Sequence, residues 1–253
     1  MSPDGLPLLG AALAGVAAGL VNALAGGGSL ICFPSLTALG LPPLVANLTN
    51  TVALTPGYLG AAWAQRRDLL GQGGRGRLLA PLAVLGGVVG AKLLLRSDER
   101  LFLALVPWLI LLGSALVALQ NRIRGWLAAF SPGRTEGPPL LAGALVAVAA
   151  IYGGYFGAGL RVILLGVLAI TLDDSLTRLS GLKQLLALAA NLSASLVFVG
   201  SGRVAWSWAF ALAMGALAGG ALGGGLASRV KGDVLRWLVA AGGAGVGLWF
   251  LWR

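Results

Sequence analysis

Two apolar stretches of this chain are interrupted in the same way, one by Ala25-Gly26-Gly27-Gly28-Ser29 and the other by Phe156-Gly157-Ala158-Gly159-Leu160-Arg161. Each break is followed by a short apolar run and then by a longer one that carries polar groups. Doubled segments of this kind, with glycine interruptions at corresponding places, are how membrane carriers with internal repeats are built. The surrounding composition demands a bilayer. Of 253 residues 58% are hydrophobic and only 10% charged, mean hydropathy is +0.90, and the charges gather between apolar runs long enough to cross a hydrocarbon core.

Several chemistries are excluded at once. The chain has no histidine and one cysteine, which removes the commonest proton shuttle and metal ligand, any internal disulfide and any Cys-rich metal site. Cys32 reads as an inert small apolar residue. No carboxylate pair falls at membrane depth, so no catalytic residue, metal or cofactor is expected, and the protein is not read as an enzyme. The formal charge of +10 suits nucleic acid only if the basic residues share one soluble face. They lie instead in loops between apolar segments, where they set orientation. Met1 to Gly5 contains Asp4 and no basic residue, so the first apolar run is expected to stay in the mature protein.

Five apolar segments are predicted in each half: Leu6 to Leu24, Ser29 to Leu39, Leu44 to Trp63, Leu78 to Leu95 and Leu101 to Leu119, then Leu140 to Tyr155, Leu160 to Thr171, Ser175 to Val199, Trp206 to Ala227 and Val234 to Trp252. The fold class is therefore an all-α polytopic membrane protein. It divides into a first repeat over 1–120, a cytoplasmic linker over 121–139 containing Arg122, Arg124, Arg134 and Glu136, and a second repeat over 140–253. Gly26 stands 131 residues before Gly157, as Gly28 does before Gly159 and Thr49 before Ser180; Gly86, Gly90 and Arg96 stand 133 before Gly219, Gly223 and Arg229.

A helix from Ser29 to Leu39 would be about 16 Å long, half of a hydrocarbon core of about 30 Å. The first two segments of each half are therefore expected to form a bent or re-entrant hairpin, with its tip at Gly26, Gly27, Gly28 and Ser29 in the first half and at Gly157 and Gly159 in the second. Non-helical backbone at membrane depth has to be buried in protein or line a polar cavity. The run Gly215 to Gly225 reads differently, as a small-residue packing face.

Each hairpin returns the chain to its starting side, so each half makes an odd number of crossings and the halves of the sequence are expected to be inverted. With the amino terminus outside, Arg66, Arg67, Arg75, Arg77, Arg122, Arg124, Arg134, Arg229 and Lys231 are cytoplasmic, and Arg96, Arg100, Arg203 and Arg253 are external. Both termini are then outside.

Arg161, Arg178 and Lys183 fit neither side. If Asp173 or Asp174 caps the segment carrying them, Lys183 lies about 14 Å along the helix, near the bilayer midplane. All eight acidic residues occupy termini or loops, so these cations are expected to lack carboxylate partners. A buried cation costs about 3 kcal/mol on insertion scales and is retained where something compensates; an anionic substrate would. Arg178 can alternatively snorkel to the boundary. Arg178 and Lys183 diverge by about 140° on an ideal helix, and Gly181 permits the distortion that would bring them together. The first half carries Asn47, Thr49, Asn50 and Thr51 in the matching segment, either as interhelical glue or as neutral donors. In the second case they join Ser180 and the cations around an oxyanion at the repeat interface, faced by the helix amino termini at Ser29 and Leu160.

The pattern Gly15-Val16-Ala17-Ala18-Gly19-Leu20, Ala25-Gly26-Gly27-Gly28-Ser29-Leu30-Ile31-Cys32-Phe33-Pro34, Leu39-Gly40-Leu41-Pro42-Pro43 and Asn47-Leu48-Thr49-Asn50-Thr51 resembles the TauE/SafE family of sulfite exporters. The second half departs from it. No proline follows where Pro34 stands, and Arg178-Leu179-Ser180-Gly181-Leu182-Lys183 replaces a neutral signature. The resemblance implies export of sulfite or a small organosulfonate across the cell inner (plasma) membrane. The reading is a secondary transporter whose partners are a small anion and the lipid bilayer. Two alternatives stand beside it: a proton- or sodium-coupled carrier of another small anion, and a non-transporting membrane scaffold.

Overall fold

The computed structural model describes residues 5–24, 27–130, 139–226 and 232–252. Gly26, Arg134, Glu136, Arg229, Lys231, Asp4 and Arg253, which enter the readings above, lie outside the described residues.

The described residues form ten α-helices: α1 (Gly5–Leu24), α2 (Ser29–Ala38), α3 (Pro43–Ala64), α4 (Gly73–Arg96), α5 (Glu99–Phe130), α6 (Pro139–Tyr155), α7 (Leu160–Thr171), α8 (Leu176–Gly200), α9 (Trp206–Leu226) and α10 (Gly232–Trp252), with a 3₁₀ turn at Arg66–Leu69. The protein is all-α. Six helices, α1, α4, α5, α8, α9 and α10, are long and apolar enough to cross a membrane. The five segments expected in each half are α1 to α5 and α6 to α10, and they keep register. Helices α2 and α7 begin 131 residues apart, at Ser29 and Leu160, and α4 and α9 begin 133 apart, at Gly73 and Trp206.

One boundary differs. Helix α5 runs through Asn121, Arg122 and Arg124 to Phe130, so the first residues of the expected linker are helical. Charge breaks a membrane run but not a helix, and Arg, Gln and Leu are all good helix formers.

The chain forms two compact units, and each draws on both halves of the sequence. Unit one comprises Met1–Gly57, Ser97–Ala118 and Phe198–Arg253; unit two comprises Tyr58–Arg96 and Leu119–Val197. In unit one α1 lies along α9, and in unit two α6 lies along α4. Water does not drive apolar helices together inside a bilayer, so close van der Waals approach must do so, and small residues permit it. A Cβ on Gly219 would strike the carbonyl of Val16, and one on Gly223 would meet that of Leu20. In unit two a Cβ on Gly86 would meet the carbonyl of Ala147, and one on Gly90 would strike that of Ile151. With α1 and α6 displaced by 131 residues and α4 and α9 by 133, these are the same two contacts made twice. The Gly215 to Gly223 stretch is thus the packing face that the sequence suggested.

The short helices pack on their predecessors, α2 on α1 and α7 on α6. At 10 and 12 residues they are about 15 and 18 Å long. Neither reaches across a hydrocarbon core of about 30 Å. In unit one Phe33 of α2 meets Phe102 edge-on at 6.5 Å and stacks on Phe250 at 6.4 Å.

Candidate functional site

The turn between α6 and α7 is built by glycine where the backbone needs it. Gly157 has φ 82° and Gly159 φ 78°, left-handed conformations that strain any residue with a Cβ. The Phe156 and Gly157 amides both donate to the Tyr152 carbonyl, at 2.9 and 3.2 Å, and the Tyr152 hydroxyl donates to the Ala158 carbonyl at 2.5 Å. Tyr152 thereby closes the end of α6 and orients the start of α7. Gly159 supplies no side-chain cap. Arg161 follows in the first turn of α7, its guanidinium 5.3 Å from the centre of the Tyr58 ring, a cation–π contact that holds the charge in place.

Lys183 is half-buried in α8, and the charges that act on it are those of Arg161 and Arg124, both positive. Among the described residues of unit two, Arg161 and Lys183 therefore belong to one electropositive region, to which the end of α5 adds Arg124. Gln184, 7% exposed, stands beside Lys183, and its Oε1 accepts no hydrogen bond among the described residues. Ser180 is half-buried one turn earlier. Helix α8 begins at Leu176, so Lys183 is about 10 Å along it, less than the 14 Å expected. Ser175 stands at the cap position, where its hydroxyl accepts from the Arg178 amide at 3.4 Å; Asp174 has another task.

Arg178 contradicts the expectation that these cations lack a carboxylate. Its Nε lies 3.0 Å from Asp174 Oδ2, Arg75 donates to the same oxygen at 2.6 Å, and an Arg178 terminal nitrogen donates to the Leu70 carbonyl at 3.0 Å. Asp174 lies two residues ahead of the first residue of α8, so it serves Arg178 rather than capping the helix. Gly181 does not distort α8, which is unbroken. It makes room for the 3₁₀ turn instead: a Cβ at Gly181 would come within 2.7 Å of the Asp68 Cβ. Gln72, 2% exposed, completes the junction by donating to the carbonyls of Asp68 at 2.8 Å and Arg178 at 2.9 Å. Partial burial pushes the Asp174 carboxyl up, but bonds from Arg178, the Ser175 amide and Arg75 outweigh it and hold the pKa below the ordinary value.

Unit one holds the neutral residues. Asn47, Thr49, Asn50 and Thr51 are 1%, 0%, 2% and 7% exposed. The hydroxyl of Thr51 donates to the Asn47 carbonyl at 2.9 Å, so that proton serves its own helix. Thr49 Oγ1 accepts from the Ala205 amide at 3.2 Å and ties the chain entering α9 to α3. Asn50 Oδ1 accepts nothing among the described residues. At the first hairpin tip Gly27 has φ 91° and lies against Val117 and Val239. Gly28 precedes α2 without a side-chain cap, and Ser29 opens that helix.

The sequence reading missed Arg236, a 6% exposed residue in α10, and Lys92, exposed in α4. Both carry the signal that marked Lys183, a cation within an apolar run. Tyr58 and Tyr152 carried no such signal, since their value lies in contacts distant along the chain.

An all-helical chain with six apolar helices of membrane length and two short helices that follow glycine turns is a multi-pass membrane protein. Residues 11–250 match the family described as Sulfite exporter TauE/SafE, and the chain belongs to that family, which is one of transporters and not of enzymes. It is 26% identical over 217 residues to a "Probable membrane transporter protein" of Haemophilus influenzae, covering 83% of this chain and 80% of the relative. It is 26% identical over 209 residues to "Probable membrane transporter protein YfcA" of Escherichia coli, covering 81% and 75%. No solved structure matches the chain.

Proposed function

We propose that this protein exports a small oxyanion, sulfite or an organosulfonate, from the cytoplasm across the cell inner (plasma) membrane, by alternating access around a site in unit two. The observation that carries the reading is Lys183, half-buried in a membrane helix and acted on by two further positive charges. Lys183 and Arg161 are both half-buried, where like charges repel one another with less screening than at the surface, and an anion between them would remove the penalty. Arg161, held over Tyr58 at the uncapped start of α7, adds a forked donor of the kind that matches oxyanions, and the helix dipole adds to it. Gln184 supplies an amide. Arg178 serves the same helix through Asp174, while Asn47, Thr49, Asn50, Thr51 and Ser180 are polar groups of the framework.

The basic residues of the loops favour both termini outside and the halves of the sequence inverted. With the membrane negative inside, outward movement of one negative charge gains about 2.3 kcal/mol per 100 mV, so efflux needs no coupling ion. In proteoliposomes, sulfite efflux is expected to follow an imposed potential and to be abolished by Lys183→Met. Efflux that ignores potential and follows a pH gradient would overturn the uniport reading. Sulfite should also raise the melting temperature of the wild type but not of folded Lys183→Met.

One observation favours a second reading, a cation-coupled carrier. Asn50 Oδ1 is a buried acceptor with no donor among the described residues, and a sodium ion would satisfy it. Efflux that accelerates with sodium in the wild type but not in Asn50→Ala would support coupling.

A further inference from the structure

A densely bonded junction in unit two lies outside the electropositive region, at the head of the helix that carries Lys183. Asp174 is 14% exposed at its side chain, although it is a loop residue, and it holds Arg75 and Arg178 from opposite sides in sequence. Arg178 passes on to the Leu70 carbonyl, Gln72 joins the carbonyls of Asp68 and Arg178, and Gly181 admits the turn at contact distance. The segment 66–72 is thus tied down on the first two turns of α8. Lys183 follows Arg178 by five residues, about 7.5 Å along the helix. A groove of about 500 Å³ runs behind the tied segment, lined by Leu69, Gln72, Gly76, Arg77 and Leu185.

The Gln72 amide is 2% exposed, yet its Oε1 has no donor among the described residues, so the closed state leaves a polar atom unsatisfied. At the corresponding place in unit one, where the chain enters α9, the Ala205 amide donates to the Thr49 hydroxyl, a bond between two neutral groups.

We propose that Asp174, Arg75 and Arg178 form an ionic latch that holds segment 66–72 over the head of α8 and closes one end of the anion path to Lys183. That the path carries an anion rests on the function proposed above; the latch itself does not. Opening requires the Arg75–Asp174 pair to part and the segment to lift, which uncovers Gln72 and the groove toward Leu185.

The test uses the purified full chain in lipid nanodiscs and two readouts that need no sulfite. In hydrogen exchange, Asp174→Asn is expected to speed the amides of Asp68, Leu70 and Gln72 at least tenfold, with those of Phe156 to Ile163 unchanged. Unchanged exchange over 66–72 would overturn the latch. In a Cys32→Ala chain carrying Lys183→Cys, a membrane-impermeant anionic thiol reagent is expected to label position 183 at least fivefold faster once Asp174→Asn is added. Equal labelling would overturn the gating role. Arg75→Gln breaks the same pair from the other side and is expected to reproduce both changes, so a folding defect of one variant does not decide the matter. Absence of sulfite efflux from the wild type would count against the substrate reading and would leave both readouts to decide the latch.

Discussion

Units one and two are built on one plan and differ in what they place on it. Each pairs a glycine-faced helix from one half of the sequence with its partner from the other, α1 with α9 and α6 with α4, and each hangs a short helix from a glycine turn. Their following helices diverge. Helix α3 buries Asn47, Thr49, Asn50 and Thr51, whereas the corresponding stretch of α8 carries Arg178 and Lys183. Under the 131-residue displacement, Asn47 corresponds to Arg178, Val52 to Lys183 and Leu30 to Arg161. A duplicated framework can keep its packing contacts, which are set by backbone approach, while the two copies take opposite polar chemistry. The asymmetry is where function is to be sought.

The largest expected effect breaks that asymmetry. Lys183→Met removes a charge that a bound anion would need, and losing one member of a buried charge pair costs about 3 kcal/mol, roughly a hundredfold in affinity. Val52→Met, at the corresponding place in α3, is expected to leave sulfite affinity within about twofold, as substitutions away from a site do. Titrating both variants with sulfite while following thermal stability separates them. Equal losses would mean that the two helices contribute alike and that the charge is not decisive.

The shared plan has its own test. Gly219→Leu and Gly86→Leu each drive a side chain into a facing backbone carbonyl, of Val16 and Ala147 respectively, and overpacking of this kind costs about 3 kcal/mol. The two are expected to lower thermal stability by similar amounts in the full chain. A large loss in one and none in the other would show that the two contacts are not energetic equivalents.

Much of this framework was legible in the sequence because apolar length and glycine punctuation act locally. Ser29, Leu160 and Trp206 begin helices where composition changes, and the breaks before Ser29 and Leu160 fall where positive φ is required. The exchange of partners was not legible, since a face of small residues says that something approaches without saying what. Arg178 was misread for a similar reason. Its relation to Asp174, four residues away, is visible in sequence, but Arg75 joins them from 99 residues away. The three-body cluster that occupies Arg178 exists only in the fold. Arg161 and Lys183, by contrast, stand out in the sequence itself, because a cation in an apolar run is conspicuous without reference to the fold.

A smaller effect compares the two junctions. Thr49→Val removes the acceptor of the Ala205 amide, and one neutral hydrogen bond contributes about 1 kcal/mol. Exchange of the Ala205 amide is therefore expected to rise about fivefold, with Leu70 and Gln72 unaffected. Asp174→Asn should do the reverse. Cross-reaction between the two would mean that the junctions are not independent.

The smallest effect is that of pH on the same comparison. Partial burial raises the Asp174 carboxyl, but Arg178, the Ser175 amide and Arg75 together hold its pKa below the ordinary value. A carboxyl whose folded pKa is depressed stabilises while ionised. Its contribution is fully present above the unfolded value of about 3.9 and is lost as pH falls through the lower, folded value. The bond at the Thr49 junction joins two neutral groups, so the ratio of exchange at Leu70 to that at Ala205 compares the ionic junction with a neutral one. The ratio is expected to be flat from about pH 7 to about pH 5 and to climb only below about pH 4, and to be flat throughout in Asp174→Asn. A climb already between about pH 7 and about pH 5 would assign the junction's charge dependence to a group other than this carboxylate, and the contrast between an ionic and a neutral junction would then have to be rebuilt around that group.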